Sequence, residues 1–172
     1  MTCDGRVWKF GDDVNTDLII PGRYLDNYDP SHLASHAMEG LGVNFARSVA
    51  EGDIVIAGRN FGCGSSREQA VTALKGCGVS AVVAASFARI FYRNAVNLGL
   101  PVYESPEAYR TFDSGDNAKI DHEDNLICSA DGSKEAALVP LPTHLKEVLD
   151  SGGLLPHIRS KLHHHSDDPD RS

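Results

Sequence analysis

The residues from Asn60 to Ala70, Asn-Phe-Gly-Cys-Gly-Ser-Ser-Arg-Glu-Gln-Ala, have the pattern of a glycine-rich turn that leads into a helix. The apolar run Asp53–Ala57 precedes them and is typical of a buried strand. The apolar residues at helical spacing that follow are Ala70, Val71, Ala73 and Leu74. The sequence therefore predicts the order strand, turn, helix.

The serines and the arginine of this turn are expected to lie at the N-terminus of the helix. Ser65 and Glu68 have the S-x-x-E spacing of a capping box. Free N–H groups and the positive end of the helix dipole favour anions at such a place. Arg67 adds a guanidinium group that can bind a carboxylate at two points. An ordinary serine-capped turn would fit this stretch equally well if it stood alone.

The segments that follow predict a parallel sheet and then a β-rich half. The continuous apolar run Val79–Ala84 is typical of a central strand, so the unit from Asp53 onward resembles βαβ. Ser86 is expected to cap a second helix. Its inward face is expected to consist of Phe87, Ile90, Phe91, Ala95 and Leu98. From Pro101 to Leu141, short strand-like runs alternate with polar turns.

Composition limits the class of protein. The 172 residues, of which 41% are hydrophobic and 23% charged, fit one globular domain, which we place at residues 1–162. Residues 163–172 are polar and are expected to form a disordered tail. The net charge of −8 makes nucleic acids and anionic membranes poor partners. Since the first residues have no signal pattern, we expect a cytoplasmic protein.

The cysteines and histidines do not predict a metal site in this chain. The four cysteines are Cys3, Cys63, Cys77 and Cys128, and no two of them have C-x-x-C spacing. His32 and His36 are four residues apart on an expected helix, but a third ligand is not near them in the sequence. We interpret both as solvated helix positions.

Four stretches, in this order along the chain, resemble the signatures of the small swivelling domain of the aconitase superfamily. They are Asp12–Pro21, Asn60–Glu68, Ser86–Asn94 and Gly152–Pro156. The chain is most similar to the free-standing small subunits of isopropylmalate isomerase and homoaconitase, and the resemblance covers Val7–Leu162. It implies an α/β fold: a single aconitase-type swivelling domain with β/β/α layers, a parallel-containing central sheet and helices at its face.

The resemblance also implies an activity that this chain performs only with a partner. Members of the family are hydro-lyases that dehydrate and rehydrate 2- or 3-hydroxy acids, with a [4Fe–4S] cluster as the Lewis acid. Since this chain has no matching triplet of cysteines, a large subunit is expected to carry the cluster. We expect 3-isopropylmalate, an intermediate of leucine biosynthesis, as the substrate. Methylated malates and homocitrate are the alternatives.

Residue by residue, the resemblance assigns roles to the serine turn and to the segment that contains Asp17. Ser65 corresponds to the base that removes a proton as its alkoxide, and Ser66 supports the pocket. Arg67 binds a substrate carboxylate. Asp17 lies in the active site and helps to arrange the catalytic group; an Asx turn that opens a strand is the structural alternative. Cys63 is interpreted as a small packing residue.

A second loop is expected to reach the substrate and to contribute to its selection. It contains Arg23, Tyr24, Asp26 and Asn27. The pair Asp26–Asn27 departs from the residues usual in isopropylmalate isomerases and in homoaconitases, and is similar to Leu-Asp-Asn in one-chain aconitases. Asp26 would repel an additional substrate carboxylate, which disfavours homocitrate. Arg23 fits a carboxylate ligand and a surface arginine equally well.

Two other functions are weaker matches to the sequence. A phosphate-binding module would explain the glycines, but the stretch lacks both G-K-[ST] and G-x-G-x-x-G. A regulatory RNA-binding role conflicts with the acidic composition.

Overall fold

A seven-stranded mixed sheet forms the centre of the protein in the computed structural model, which describes residues 3–166. The strands are β1 (Cys3–Lys9), β2 (Ile54–Ala57), β3 (Ala81–Ala84), β4 (Val102–Glu104), β5 (Asn117–Asp121), β6 (Leu126–Ser129) and β7 (Glu135–Ala137). Their order across the sheet is β4-β3-β2-β1-β5-β6-β7. Strand β1 is the boundary between two halves, because it is parallel to β2 and antiparallel to β5.

The two halves follow from different sequence patterns. Strands β1 to β4 pair in parallel, and every residue of β2 and β3 is buried, as their continuous Ile, Val and Ala runs predict. Strands β5 to β7 pair in antiparallel fashion, and β5 alternates exposed residues with buried Ala118 and Ile120. The predicted α/β fold with a parallel-containing central sheet is confirmed.

Eight α-helices accompany the sheet within the described residues. They are α1 (Thr16–Ile19), α2 (Pro30–Ser35), α3 (Phe45–Ser48), α4 (Glu68–Gly76), α5 (Arg89–Asn97), α6 (Pro106–Thr111), α7 (Thr143–Asp150) and α8 (Leu154–Ser166). Helix α4 packs against α2 and α5. Within residues 3–166, no helix combines the length and the apolar composition that crossing a bilayer requires.

Two helices differ from the expectations. The β-rich interpretation missed α6, whose start is stabilised by Pro106 at its first position and by the Ser105 hydroxyl, which accepts a hydrogen bond from the Ala108 N–H. Helix α8 continues to Ser166, four residues beyond the expected domain end at Leu162. Residues 167–172 lie outside the described residues, so the division into a domain and a disordered tail stays a prediction.

The loops that follow β1, β2 and β3 meet at one edge of the sheet, because the carboxyl ends of parallel strands share an edge. Gly58 N–H donates to the Gly11 carbonyl at 3.0 Å, which joins the first loop to the second. Phe61 N–H donates to the Ser86 carbonyl at 3.0 Å, which joins the second to the third. Three of the four stretches singled out from the sequence, Asp12–Pro21, Asn60–Glu68 and Ser86–Asn94, therefore lie together.

Helix α5 starts later than predicted, because the loop after β2 binds the residues that were expected to begin the helix. Ser86 does not cap the helix; its hydroxyl accepts a hydrogen bond from the Asn60 N–H at 2.9 Å, and Phe87 forms a parallel bridge with Phe61. Helix α5 begins only at Arg89. Ile90, expected on the inward face, is 51% exposed.

A buried carboxylate joins β1 to the start of β2. Asp53, which is 3% exposed, accepts hydrogen bonds from Trp8 Nε1 at 2.8 Å, Arg6 N at 2.9 Å and Ala50 N at 3.0 Å. Burial alone would raise the pKa of Asp53, but the hydrogen bonds from Ala50, Trp8 and Arg6 outweigh it and lower the pKa below its usual range.

Removing this carboxylate should destabilise the fold. We expect Asp53→Ala to lower the free energy of unfolding by about 2–4 kcal/mol at pH 7, because three donors lose their buried acceptor. Since the folded-state pKa of Asp53 is depressed, its stabilisation is present above the ordinary aspartate pKa and is lost as the pH falls below it. Urea unfolding at pH 7 and at acidic pH measures both effects.

The matched control is Asp4→Ala, since Asp4 is an exposed carboxylate on β1, the strand that Asp53 joins to β2. An equal loss of stability in both variants would contradict the assigned role of Asp53.

Candidate active site

The turn after β2 is shaped by two glycines with positive φ. Gly62 has φ +79° and Gly64 has φ +92°, a region that residues with a Cβ rarely adopt. Gly62 N–H donates to the Val14 carbonyl at 2.8 Å. A Cβ on Gly62 would overlap the ring of Phe91 and lie 2.6 Å from its Cδ2 atom. The glycine thus lets the turn lie directly against α5.

The serines precede helix α4 and do not cap it, contrary to the capping-box prediction. The helix begins at Glu68 with Arg67 at its N-cap position, and the Arg67 side chain makes no capping hydrogen bond. Arg67 N–H instead donates to the carbonyl of Ser65 at 2.9 Å. The spacing was misleading because Ser65 is held by another part of the chain.

That part is the segment leading into helix α1. Thr16, 2% exposed, donates from its hydroxyl to the Ser65 carbonyl at 2.9 Å and from its N–H to the Cys63 carbonyl at 2.9 Å. The Asn15 side chain caps α1 by accepting a hydrogen bond from the Leu18 N–H at 2.9 Å. The backbone of Ser65 is therefore fixed by hydrogen bonds from Thr16 of the capped helix α1, and not by helix α4.

Asp17 lies on the same helical turn and pairs with Arg67. Arg67 Nη1 donates to Asp17 Oδ1 at 2.9 Å and to the Ile20 carbonyl at 3.2 Å. The Gly22 N–H also donates to Asp17 Oδ1, at 3.1 Å. Hydrogen bonds from Arg67 and then Gly22 hold the pKa of Asp17 below its usual range, so its carboxylate is a fixed negative charge near neutral pH.

The side chains of Ser65 and Ser66 are exposed, in contrast to the fixed backbone. Neither hydroxyl is hydrogen-bonded to another of the residues that the structure describes. Ser65 lines an open pocket of about 450 Å³ together with Arg89 and Arg93. Both arginines are exposed, and neither has a carboxylate partner within residues 3–166.

From the sequence, Arg93 is expected on a solvated helix face, and Arg89 is expected either on such a face or in a structural role at the site. Their i, i+4 spacing on a helix is equally typical of a solvated face. What brings them to Ser65 is the contact of the Gly62 turn with Phe91, which lies between them in the sequence. The glycine at position 62 was the sequence signal for this contact, because a residue with a Cβ could not lie so close to Phe91.

The second loop forms a turn of 3₁₀-helix at Gly22–Tyr24, beside Arg67: a Cβ on Gly22 would lie 3.6 Å from Arg67 Nη2. Arg23 Nη2 donates to Glu39 Oε1 at 2.8 Å, and the Tyr24 hydroxyl donates to the same oxygen at 2.6 Å. The loop and the serine turn are thus neighbours.

Asp26 and Asn27 are exposed at the end of this loop. The Asn27 side chain accepts a hydrogen bond from the Asp29 N–H at 2.9 Å, and the Asp29 carboxylate caps α2 by accepting from the His32 N–H. Asp26 does not cap this turn, so its carboxylate is presented to solvent.

The donor set does not fit an iron–sulfur cluster held by this chain. Its four cysteines are free and belong to four different parts of the fold. Among the side chains that the structure describes, residues 3–163, His, Cys, Asp and Glu do not gather in groups of three or more that could bind a metal ion. Burial, with a contribution from Asp13, raises the pKa of the Cys63 thiol, which disfavours a thiolate nucleophile there.

An exposed serine on a turn between β2 and α4, with a carboxylate–arginine pair beside it, is the arrangement that the resemblance to aconitase-type domains leads us to expect. Residues 43–106 match the Aconitase C-terminal domain family. A crystal structure of 3-isopropylmalate dehydratase from Methanocaldococcus jannaschii superposes with a TM-score of 0.92 at 46% identity, covering 96% of this chain and 98% of that one.

Curated relatives agree over nearly the whole length. The 3-isopropylmalate dehydratase small subunit of Syntrophus aciditrophicus is 47% identical over 94% of this chain and 98% of its own. That of Moorella thermoacetica is 49% identical over 94% and 98%, and that of Methanosarcina mazei is 50% identical over 90% and 95%. The chain therefore belongs to the family of 3-isopropylmalate dehydratase small subunits.

The close approach of Gly62 to α5 gives a direct prediction. Gly62→Ala should lower the free energy of unfolding by about 2–4 kcal/mol, because the added methyl group overlaps Phe91 and a positive φ is unfavourable for alanine. Thermal or urea unfolding of the isolated chain measures the change.

Gly11→Ala is the matched control, since nothing lies within 4 Å of a Cβ at Gly11. If Gly62→Ala were as stable as Gly11→Ala, the described contact between the serine turn and α5 would be wrong.

Proposed function

We propose that this chain is the small subunit of a hydro-lyase that interconverts 3-isopropylmalate and 2-isopropylmalate by removing and re-adding water. The observation that carries the proposal is the exposed Ser65 hydroxyl on a turn whose backbone is fixed by Thr16. The names of the relatives support the substrate and the reaction. A cytoplasmic location is part of the proposal.

We assign to Ser65 the transfer of the proton from and to a carbon atom of the substrate. As its alkoxide, Ser65 takes the proton from the carbon next to a substrate carboxylate, and the electron pair of that C–H bond forms the double bond as hydroxide departs. On rehydration the hydroxide adds to the neighbouring carbon and Ser65 returns the proton. A serine can serve as base only if nearby positive charge lowers its pKa. Arg89 and Arg93, which line the same pocket, supply part of that charge.

We assign to Arg67 the binding of a carboxylate group of the substrate. One of its nitrogens, Nη1, is engaged by Asp17 and the Ile20 carbonyl. This pairing fixes the plane of the guanidinium group, so its remaining N–H groups are oriented before substrate binds. Asp17 thereby acts as a positioning residue, and Ser66 supports the pocket through its hydroxyl or N–H. Arg23 is assigned to the substrate side of the second loop.

A second polypeptide completes the site. The departing hydroxide requires a Lewis acid, and the [4Fe–4S] cluster of the family supplies that chemistry when it is present. Since this chain offers no ligand set for the cluster among its described residues, we assign the cluster to a large subunit. The small-subunit designation of the relatives supports such a partner. The alkylmalate then binds between the two subunits.

Replacing the base tests the proposal. In the complex reconstituted with the large subunit, Ser65→Ala should lower kcat by about 10²–10⁴-fold and leave substrate binding nearly unchanged, because the base acts in the transition state. Steady-state kinetics together with equilibrium binding of 3-isopropylmalate separate the two quantities.

Ser48→Ala is the control, since Ser48 is another exposed serine whose hydroxyl makes no hydrogen bond to the described residues. Near-normal turnover of Ser65→Ala would refute the assignment of the base.

The second loop tests the choice of substrate. Replacing Asp26 and Asn27 by Arg and Thr should raise the ratio of kcat/KM for homocitrate to that for 3-isopropylmalate by at least about tenfold. The change removes a negative charge that repels an added carboxylate and supplies a positive one, an effect of a few kcal/mol in a partly desolvated site. Competition between the two acids in the reconstituted complex measures the ratio.

Asp124→Arg, in an exposed turn between β5 and β6, changes the net charge in the same direction away from this loop. An unchanged ratio in the loop variant would mean that Asp26 does not face the substrate.

A further inference from the structure

Glu39 gathers three side chains around one carboxylate. Its Oε1 atom accepts hydrogen bonds from Arg23 Nη2 at 2.8 Å and from the Tyr24 hydroxyl at 2.6 Å. Its Oε2 atom lies 2.6 Å from His36 Nδ1. Both oxygens are therefore used, and two of the three partners belong to the loop assigned to substrate recognition.

The rings of these partners stack on one another. The Tyr24 and His36 rings are nearly parallel, at 9°, with centroids 3.6 Å apart. The guanidinium carbon of Arg23 lies 4.6 Å from the centroid of the Tyr24 ring. The tyrosine thus has contacts through its hydroxyl and through its ring, which restrict both of its side-chain torsions.

The backbone around Glu39 is itself fixed to helix α1. The preceding residue, Met38, is fully buried, has φ +60° and donates from its N–H to the Ile19 carbonyl at 2.7 Å. The following residue, Gly40, lies so close to α1 that a Cβ would be 2.5 Å from Leu18 Cα. Asp17 also belongs to α1. This one helical turn therefore positions both Asp17, which binds Arg67, and Glu39, which binds Arg23.

Glu39 stays charged under working conditions. Hydrogen bonds from Tyr24 and His36, and then from Arg23, lower the pKa of its carboxyl to about 2. The three contacts are therefore charge-assisted throughout the neutral range.

We propose that Glu39 is a positioning residue that holds Arg23 and Tyr24 in one orientation at the substrate. This inference rests on the proposed function, which assigns their loop to the substrate. A side chain immobilised before binding does not have to be ordered by the ligand, so affinity gains while the chemical step is unaffected. Losing Glu39 should consequently raise KM far more than it lowers kcat.

Kinetics of the reconstituted complex form the first arm of the test. Glu39→Gln keeps the shape and removes the charge, and we expect KM for 3-isopropylmalate to rise about tenfold with kcat within about twofold, as for the loss of a charge-assisted contact. Glu39→Ala should raise KM further. Glu51→Gln is the control, since Glu51 is exposed and its carboxylate has no partner among the described residues. Unchanged KM in both Glu39 variants would overturn the proposal.

Coupling with Tyr24 separates positioning from a general loss of stability. Tyr24→Phe removes the hydroxyl that Glu39 accepts and keeps the ring. If Glu39 acts through Tyr24, the double variant should raise KM by less than the product of the two single effects. Fully multiplicative effects, or a loss of kcat that follows the melting temperature, would contradict the proposal.

Amide hydrogen exchange in the isolated chain tests the proposal for Glu39 without depending on enzymatic activity. The N–H groups of Tyr24 and Leu25 donate to the Pro21 and Gly22 carbonyls at 3.1 and 3.2 Å. In Glu39→Gln they should exchange at least several-fold faster, while in Glu51→Gln they should not. Unchanged exchange refutes the positioning role even if the enzyme is active. A wild-type complex that does not convert 3-isopropylmalate refutes the proposed function, whereas the exchange still decides whether Glu39 holds the turn.

Discussion

Three hydrogen bonds between the loops after β1 and β2 determine the geometry of the whole site. The segment Val14–Thr16 accepts from Gly62 N–H, donates to the Cys63 carbonyl and donates from the Thr16 hydroxyl to the Ser65 carbonyl, all within 2.8–2.9 Å. They fix the backbone of Ser65 while its hydroxyl stays exposed. The parallel pairing of β1 with β2 makes them possible, because it brings the ends of both strands to one edge.

The same edge collects positive charge on an acidic protein. The chain has a net charge of −8, yet Arg67, Arg89 and Arg93 all lie near Ser65. Arg67 is neutralised in part by Asp17, and Arg23 by Glu39, whereas Arg89 and Arg93 lack a carboxylate partner within the described residues. A dicarboxylate substrate fits such a site, because its two carboxylates can bind guanidinium groups that carboxylate partners orient and others that have no such partner.

Sequence patterns predicted the elements whose signal is local. The fully apolar runs of β2 and β3 were found because the pattern of a buried strand is set by a few neighbouring residues. The predicted caps at Ser65 and Ser86 were wrong, because distant groups, Thr16 and Asn60, engage these two residues instead. The roles of Arg89 and Glu39 depend on contacts between loops, which spacing along the chain does not encode. The assigned roles of Ser65, Asp17 and the second loop stay predictions.

We propose above all that this chain supplies the group that moves the proton at the substrate's carbon. Hydrogen–deuterium exchange between D₂O and that carbon, followed by NMR or mass spectrometry in the reconstituted complex, isolates this step from release of water. We predict that the wild-type complex incorporates solvent deuterium during turnover and that a complex with Ser65→Ala binds the substrate without incorporating it. Incorporation at the wild-type rate by the Ser65→Ala complex would contradict the claim.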